Sequence, residues 1–250
     1  GVVFAGGNLQ RAMAEVQQAA SWLRAGDYGP VRGAAVHAWG GEISGGGCQH
    51  IAVLRLFTRA EVTQIIAWGT PAEALRSPRD TGLIAHAHCR LSTGIDCAIF
   101  GTPTPYRGVD VWTQDALVRW DWAPPEIYQG FDAAGARRRV DRPYAPLQYP
   151  RFTYLGTSIL SFLDVVRHGG ELSISGHDLR QSLEVAIAAK YSALWGNVPL
   201  SLPLADRSLS LLPGEIDNER QVILEEKRSR AGAHQRVEDY VFERLAPEST

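Results

Sequence analysis

Between Glu61 and Trp122 five strand-like segments follow one another: Glu61 to Trp68, Leu83 to Leu91, Asp96 to Phe100, Gly108 to Trp112 and Ala116 to Trp122. Turn chemistry such as Ser92-Thr93-Gly94 and Thr113-Gln114-Asp115 separates them, and connections that short favour antiparallel hairpins over crossovers. A chain with such a run at its centre must place most of its strands in one meandering sheet. Helical spacing flanks the run. Ahead of it, a short apolar strand at Val2 to Ala5 leads to Asn8, an N-cap for a helix with Leu9, Met13, Val16, Ala20 and Leu23 on one face and Gly26 as its stop. Val31 to Trp39 read as a strand, and the glycine-rich link Gly40 to Gly47 delivers a second helix at about Cys48 to Phe57. Behind the run, Pro124, Pro125, Pro143, Pro146 and Pro150 mark an irregular stretch, after which Tyr154 to Val166 and Leu179 to Trp195 resume helical spacing. The fold class expected is α+β, a mainly antiparallel open β-sheet with helices packed on one face.

Composition removes several classes of function. With 250 residues, 45% of them hydrophobic and 21% charged, the chain is long enough to bury a sizeable core. A net charge of -2 and a longest basic run of only Arg137 to Arg139 leave no phosphate-tracking stripe, so nucleic acid is not an expected partner. No apolar run is long enough to span a bilayer, so no membrane is expected. The three cysteines, Cys48, Cys89 and Cys97, form neither a CxxC pair nor a disulfide framework, which fits a reducing cytoplasm. The opening Gly1-Val2-Val3-Phe4-Ala5 has a buried-strand pattern with no lead-in, so Gly1 reads as an internal position of a longer protein. Beyond Pro213 acids and bases alternate with few apolar anchors, the pattern of a solvated helix or loose tail.

Few residues carry chemistry on their own. A dinucleotide phosphate site needs GxGxxG between strand and helix with an acid some way downstream, and the clusters Gly40-Gly41 and Gly45-Gly46-Gly47 lack both spacing and acid. They read as tight backbone approach, and no cofactor-binding residue is expected in this chain. His50, at a helix start in this glycine-rich mouth, is the leading ionisable candidate. Gln49 beside it does not titrate but can hold a hydroxyl. His37, Trp39 and Glu42 come off a strand end into the same mouth, placed for ligand contact. Alternation puts His86 and His88 on one face, where they offer two ligands to a metal or face an interface; without a third ligand nearby the interface reading is preferred and no metal is expected. Tyr106, Trp112, Trp120, Trp122 and Tyr128 form either a sugar-stacking platform or a sheet packed on a second subunit, again with preference for the interface. Lys190 reads as a buried stem with a solvated head.

Three segments together carry a resemblance: the opening strand with Asn8-Leu9-Gln10-Arg11 and its helix, the turn Gly26-Asp27-Tyr28-Gly29-Pro30-Val31, and the close Val198-Pro199-Leu200-Ser201-Leu202-Pro203-Leu204 that ends the long helix from Asp178. In order and spacing, residues 1 to about 204 resemble the C-terminal part of a Gfo/Idh/MocA-family oxidoreductase, without its N-terminal Rossmann domain. The resemblance implies that 1–25 hold the last strand and connecting helix of a truncated Rossmann domain, 26–213 a substrate and oligomerisation domain, and 214–250 a tail. It further implies an NAD- or NADP-dependent oxidoreductase acting on a sugar, polyol or related hydroxyl or carbonyl compound, cytoplasmic, homo-oligomeric through its open sheet face, with the cofactor held mainly by the missing domain. This chain alone would then be inactive.

Family members place an Asp, a His four residues on and a second acid three further on the helix after the glycine-rich link. With Arg55-Leu56-Phe57 as anchor, Gly45, Gln49 and Ala52 stand in those places. Gln49 would then orient a substrate hydroxyl, His50 would serve as acid or base, and Arg11 and His37 would lie near the domain cleft. The same departure supports the alternative of a catalytically degenerate sugar-binding or assembly subunit, and a third reading is a nicotinamide-assisted elimination with no net oxidation.

Overall fold

Among the described residues ten strands join in one sheet, and why they do is legible strand by strand in the alternation of buried and exposed side chains. The computed structural model describes residues 3–77, 80–145 and 154–205. In chain order the strands are β1 (Val31–His37), β2 (Gly40–Gly41), β3 (Val62–Thr70), β4 (Leu83–Leu91), β5 (Asp96–Phe100), β6 (Gly108–Thr113), β7 (Leu117–Trp120), β8 (Glu126–Phe131), β9 (Arg137–Arg139) and β10 (Leu200–Ser201). The helices are α1 (Ala14–Ala25), α2 (Gly46–Thr58), α3 (Ala72–Arg76), α4 (Tyr154–His168) and α5 (Gly176–Leu194), with a 3-10 helix at Leu9–Ala12.

The sheet runs β10-β3-β4-β5-β1-β6-β7-β8-β9, and β2 pairs with β4 off this path. All pairings are antiparallel except β1 with β5, where Ala34 stands opposite Cys97. The expected meander is therefore interrupted: β1, far back in sequence, inserts between β5 and β6. Along each strand alternate residues enter one core, as Ala34 and Val36, Ile65 and Ala67, Ala85 and Ala87, and Val109 and Val111 do. Residues from α1, α2 and α5 join that same core. α2 packs on β1 and β6, α5 packs on β3, and the two helices touch.

Local chemistry accounts for the ends of these elements. α1 stops at Gly26, whose φ of 80° is the left-handed cap that glycine adopts cheaply. Ser175 caps α5, its hydroxyl accepting from Asp178 N at 3.2 Å. Asn8 does not cap a helix; Met13 breaks the predicted helix into the 3-10 helix and α1, and the Asn8 amide is used elsewhere. Nor do residues 3–5 form a strand. Ala5 makes an isolated bridge to Ser175, with Gly6 N donating to Ile174 O at 2.6 Å and Gly176 N to Phe4 O at 2.9 Å.

Two strands lie where the prolines predicted irregular chain. Pro124 and Pro125 come just ahead of β8, where a missing N–H costs no ladder bond, so they do not prevent it. Lys190 is also not as predicted: its head donates to Ser77 O at 2.6 Å and stands 3.9 Å from fully buried Asp80. Cys89 and Cys97 face each other across β4 and β5 as free, buried thiols. The charged tail predicted from Pro213 onward lies outside the described residues. No helix among them is long and apolar enough to cross a membrane.

Candidate functional site

The mouth predicted from the glycine-rich link is the start of α2, and its geometry begins with Trp39. After β1 the chain turns at Ala38, φ 53°, which drives the Trp39 indole into the core. There Nε1 donates to Gly47 O at 3.0 Å. A Cβ on Gly47 would fall 2.6 Å from that same nitrogen, so glycine is required for helix and indole to meet this closely. Trp39 is therefore a strut under the helix start. Glu42 is exposed; its Oε1 accepts from Thr81 Oγ1 at 3.3 Å, and its Oε2 lies 3.0 Å from where a Gly45 Cβ would stand. An acid at that place complements the positive end of α2.

His50, one turn into α2, is 4% exposed and enclosed by two tryptophans. Its ring meets Trp120 edge-on at 5.7 Å and Trp122 at 5.6 Å, and Trp122 Nε1 donates to its Nε2 at 3.4 Å. With Nε2 accepting, the neutral ring carries its proton on Nδ1. Nδ1 faces the Gly46 backbone without the alignment of a full hydrogen bond. Burial lowers the His50 pKa to about 4, partly offset by the Gly46 backbone and reinforced by Arg107 and His37. At neutral pH this imidazole is uncharged and a weak proton acceptor.

Gln49 and Arg11 are held differently. Gln49 spends both ends of its amide on the N-terminal segment: Nε2 donates to Gly7 O at 2.6 Å, and Oε1 accepts from Gln10 N at 3.1 Å. Arg11 donates to Ser173 O at 2.9 Å and Ala52 O at 2.8 Å, and pairs with Asp178 at 3.2 Å. Asp178 is the hub of a network that sequence reading missed. It also receives Arg55, whose side chain is 5% exposed, and Asn8 Nδ2 at 3.0 Å. Arg55 reaches on to Glu61 with a two-pronged contact at 2.6 and 2.7 Å. The signal was a basic residue in an otherwise apolar helix, which burial makes costly unless an acid meets it.

His37 stands apart from these groups. Val36 belongs to the core beside α2, and alternation turns His37 to the other side of the sheet, against Phe100 and Tyr106. Its Nε2 lies 3.4 Å from Asp110 Oδ2 without hydrogen-bond alignment. Arg119 grips Asp110 at 3.0 and 3.1 Å, and the Tyr106 hydroxyl donates to it at 2.7 Å. Burial alone would raise the Asp110 carboxyl; His37, Arg119 and Tyr106 outweigh it and hold the group well below the usual carboxylate range. The structure thus brings His50, Trp39 and Glu42 to the α2 start, places Gln49 and Arg11 toward the N-terminal segment, and puts His37 on the opposite sheet face.

No family model matches the sequence, and no curated protein does. Solved structures do match. An aldose–aldose oxidoreductase from Caulobacter crescentus, complexed with glycerol, superposes with a TM-score of 0.63 at 19% identity, over 80% of this chain and 64% of that one. Levoglucosan dehydrogenase in complex with NADH and L-sorbose gives 0.60 at 16% identity, over 79% and 65%. A UDP-N-acetylglucosamine 3-dehydrogenase from Acidithiobacillus ferrooxidans gives 0.54 at 19%, over 78% and 62%. The chain shares its fold with these oxidoreductase structures. The chain spans about 64% of the length of the first of these neighbours.

The sheet face turned away from α2 and α5 carries exposed aromatic side chains. Trp68, Phe100 and Trp112 are 47, 48 and 37% exposed on it, beside His86 and His88, which share that face as their spacing predicted. Among the described residues no cluster of three or more His, Cys, Asp or Glu side chains is placed to hold a metal. The glycine-rich start of α2 does not suit the pyrophosphate of a dinucleotide such as the neighbours bind. At the glycine-rich start of α2 the Glu42 carboxylate stands against Gly45, where phosphate charge would have to sit. A cleft of about 490 Å³ is lined by residues that include Trp22, Pro125, Arg139 and Tyr144 and shares none with this mouth.

Proposed function

We propose that this chain is the substrate-facing and oligomerising part of an NAD- or NADP-dependent oxidoreductase acting on a sugar, polyol or related hydroxyl or carbonyl compound. The observation that carries the reading is the fold itself, shared over 80% of the chain with an aldose–aldose oxidoreductase. Neighbours bound to NAD+ and to NADH support a nicotinamide cofactor. In this reading a separate dinucleotide domain holds that cofactor; the Glu42 carboxylate already stands at the glycine-rich start of α2. Hydride transfer is the cofactor's chemistry; this chain's residues bind, orient and exclude water.

At the mouth, Glu42 is the exposed ionisable group available to a substrate hydroxyl, and His50 positions Trp122 and remains neutral. Gln49 keeps the Gly7–Gln10 segment in place beside the substrate, with Arg11 and Trp39 as framework. The apolar open face, with Trp68, Phe100 and Trp112, serves a homo-oligomer contact. A second reading, a catalytically degenerate sugar-binding or assembly subunit, is favoured by one observation: both ends of the Gln49 amide are already engaged by backbone.

The test uses the native gene product, titrated with NADH and NADPH and assayed against a panel of aldoses, polyols and their oxidised forms. Nicotinamide binding with turnover of a panel member is the expected result, and Gln49→Ala and His50→Ala should lower it. Sugar binding without nicotinamide binding selects the degenerate subunit. Binding of neither overturns both.

A further inference from the structure

Trp122 has a left-handed backbone, φ 69°. For so bulky a side chain that conformation is a true outlier, and it persists only where the surroundings over-determine it. Here the surroundings are specific. The indole stacks on fully buried Trp120 at 5.5 Å and 28°, and its Nε1 is spent on His50 Nε2 at 3.4 Å. The guanidinium of Arg107 also lies over the ring, 4.9 Å from its centroid. The β6–β7 register sets this meeting: Val109 stands opposite Trp120, and a step of two residues outward on each side brings Arg107 across from Trp122.

Arg107 is exposed, and among the described residues no carboxylate pairs with it. A solvated cation over an indole is weakly held. A two-pronged, charge-assisted contact with a carboxylate or phosphate is stronger, and the planar guanidinium is shaped for it. Drawn off the ring by such a group, Arg107 would uncover an indole face fixed at the correct angle by Trp120 and His50. The apolar C–H face of a sugar ring fits that surface, while its hydroxyls remain toward solvent.

We propose that Arg107 and Trp122 form a subsite for an anionic sugar, with the guanidinium pairing the acidic substituent and the indole stacking the ring. This rests on the reading of the chain as sugar-binding and narrows it to sugars that carry a carboxylate or a phosphate.

The test is a titration of the full chain with D-glucuronate, D-glucose 6-phosphate and D-glucose, followed by tryptophan fluorescence and calorimetry. One or both acidic sugars should bind at least about ten-fold more tightly than glucose, the scale of one charged hydrogen-bonded contact. Which of the two binds tells carboxylate from phosphate. Arg107→Gln should remove that advantage, and Trp122→Leu should weaken all that bind. Because Trp122→Leu also alters the packing of Trp120, Arg107→Lys is the control: charge is kept, the two-pronged contact is lost, and affinity for the acidic sugars should be intermediate. Equal affinity for glucose and the acidic sugars overturns the subsite while the sugar reading survives. An Arg107→Gln protein that keeps the advantage overturns it too. Absence of binding by any of the three counts against both.

Discussion

His50 shows how one buried residue couples the site to pH. Its pKa is about 4 in the folded chain, with burial the largest cause, against an ordinary value of 6.5. Above that ordinary value both folded and unfolded forms are neutral and nothing is lost. Between it and the folded value the unfolded chain takes up a proton that the folded chain refuses, so stability falls as pH falls through that window. Complete loss amounts to about 3 kcal/mol, the shift expressed as free energy. His50→Gln should flatten this limb relative to wild type, as read from urea unfolding at a series of pH values. Parallel limbs in the two proteins would show that His50 is not the group responsible. Trp39 and Gln49 teach a complementary lesson at this scale. Both have functional-looking positions at a glycine-rich mouth, yet both spend their polar atoms on backbone, Trp39 on Gly47 and Gln49 on Gly7 and Gln10.

Between elements, an ionic network links α2 to α5 and to the N-terminal segment. Arg55 and Asp178 are each 5% exposed at the side chain, whereas Glu61, the other partner of Arg55, is 48% exposed. The two halves of the network should therefore differ in weight. Arg55→Met strands the Asp178 carboxylate with fewer partners in a buried place and should cost about 3–5 kcal/mol. Glu61→Gln removes a partner that water already screens and should cost below about 1 kcal/mol. Urea unfolding of both variants checks this, and a Glu61→Gln cost equal to that of Arg55→Met would refute it. The same network holds Asn8, whose Nδ2 donates to Asp178 and Ser182 across the chain, in an orientation where its side chain makes no cap bond.

For the molecule as a whole, two apolar surfaces are left open among the described residues. One is the sheet face with Trp68, Phe100 and Trp112. If that face is a subunit contact, the double variant Phe100→Ser and Trp112→Ser should lower the assembled mass in light scattering and leave the far-ultraviolet spectrum unchanged. A monomeric wild type, or an unaltered mass, would sink the assignment. The other is a stripe on α4, with Leu155, Ile159, Leu163 and Val166 exposed. Val3, Phe4, Leu155 and Ile159 line a groove of about 360 Å³ beside it.

The α+β class and the positions of β4 and β5, together with α2 and α5, were legible because they depend on local rules: alternation, helical spacing, a glycine stop. The shared face of His86 and His88 followed from the same alternation. What the sequence could not disclose was contact across long separations. The parallel pairing of β1 with β5, the Asp178 hub and the meeting of Trp122 with His50 each depend on residues far apart in the chain. No periodicity encodes such meetings, because their energy comes from burial and charge pairing that exist only once the sheet and helices have closed on one another.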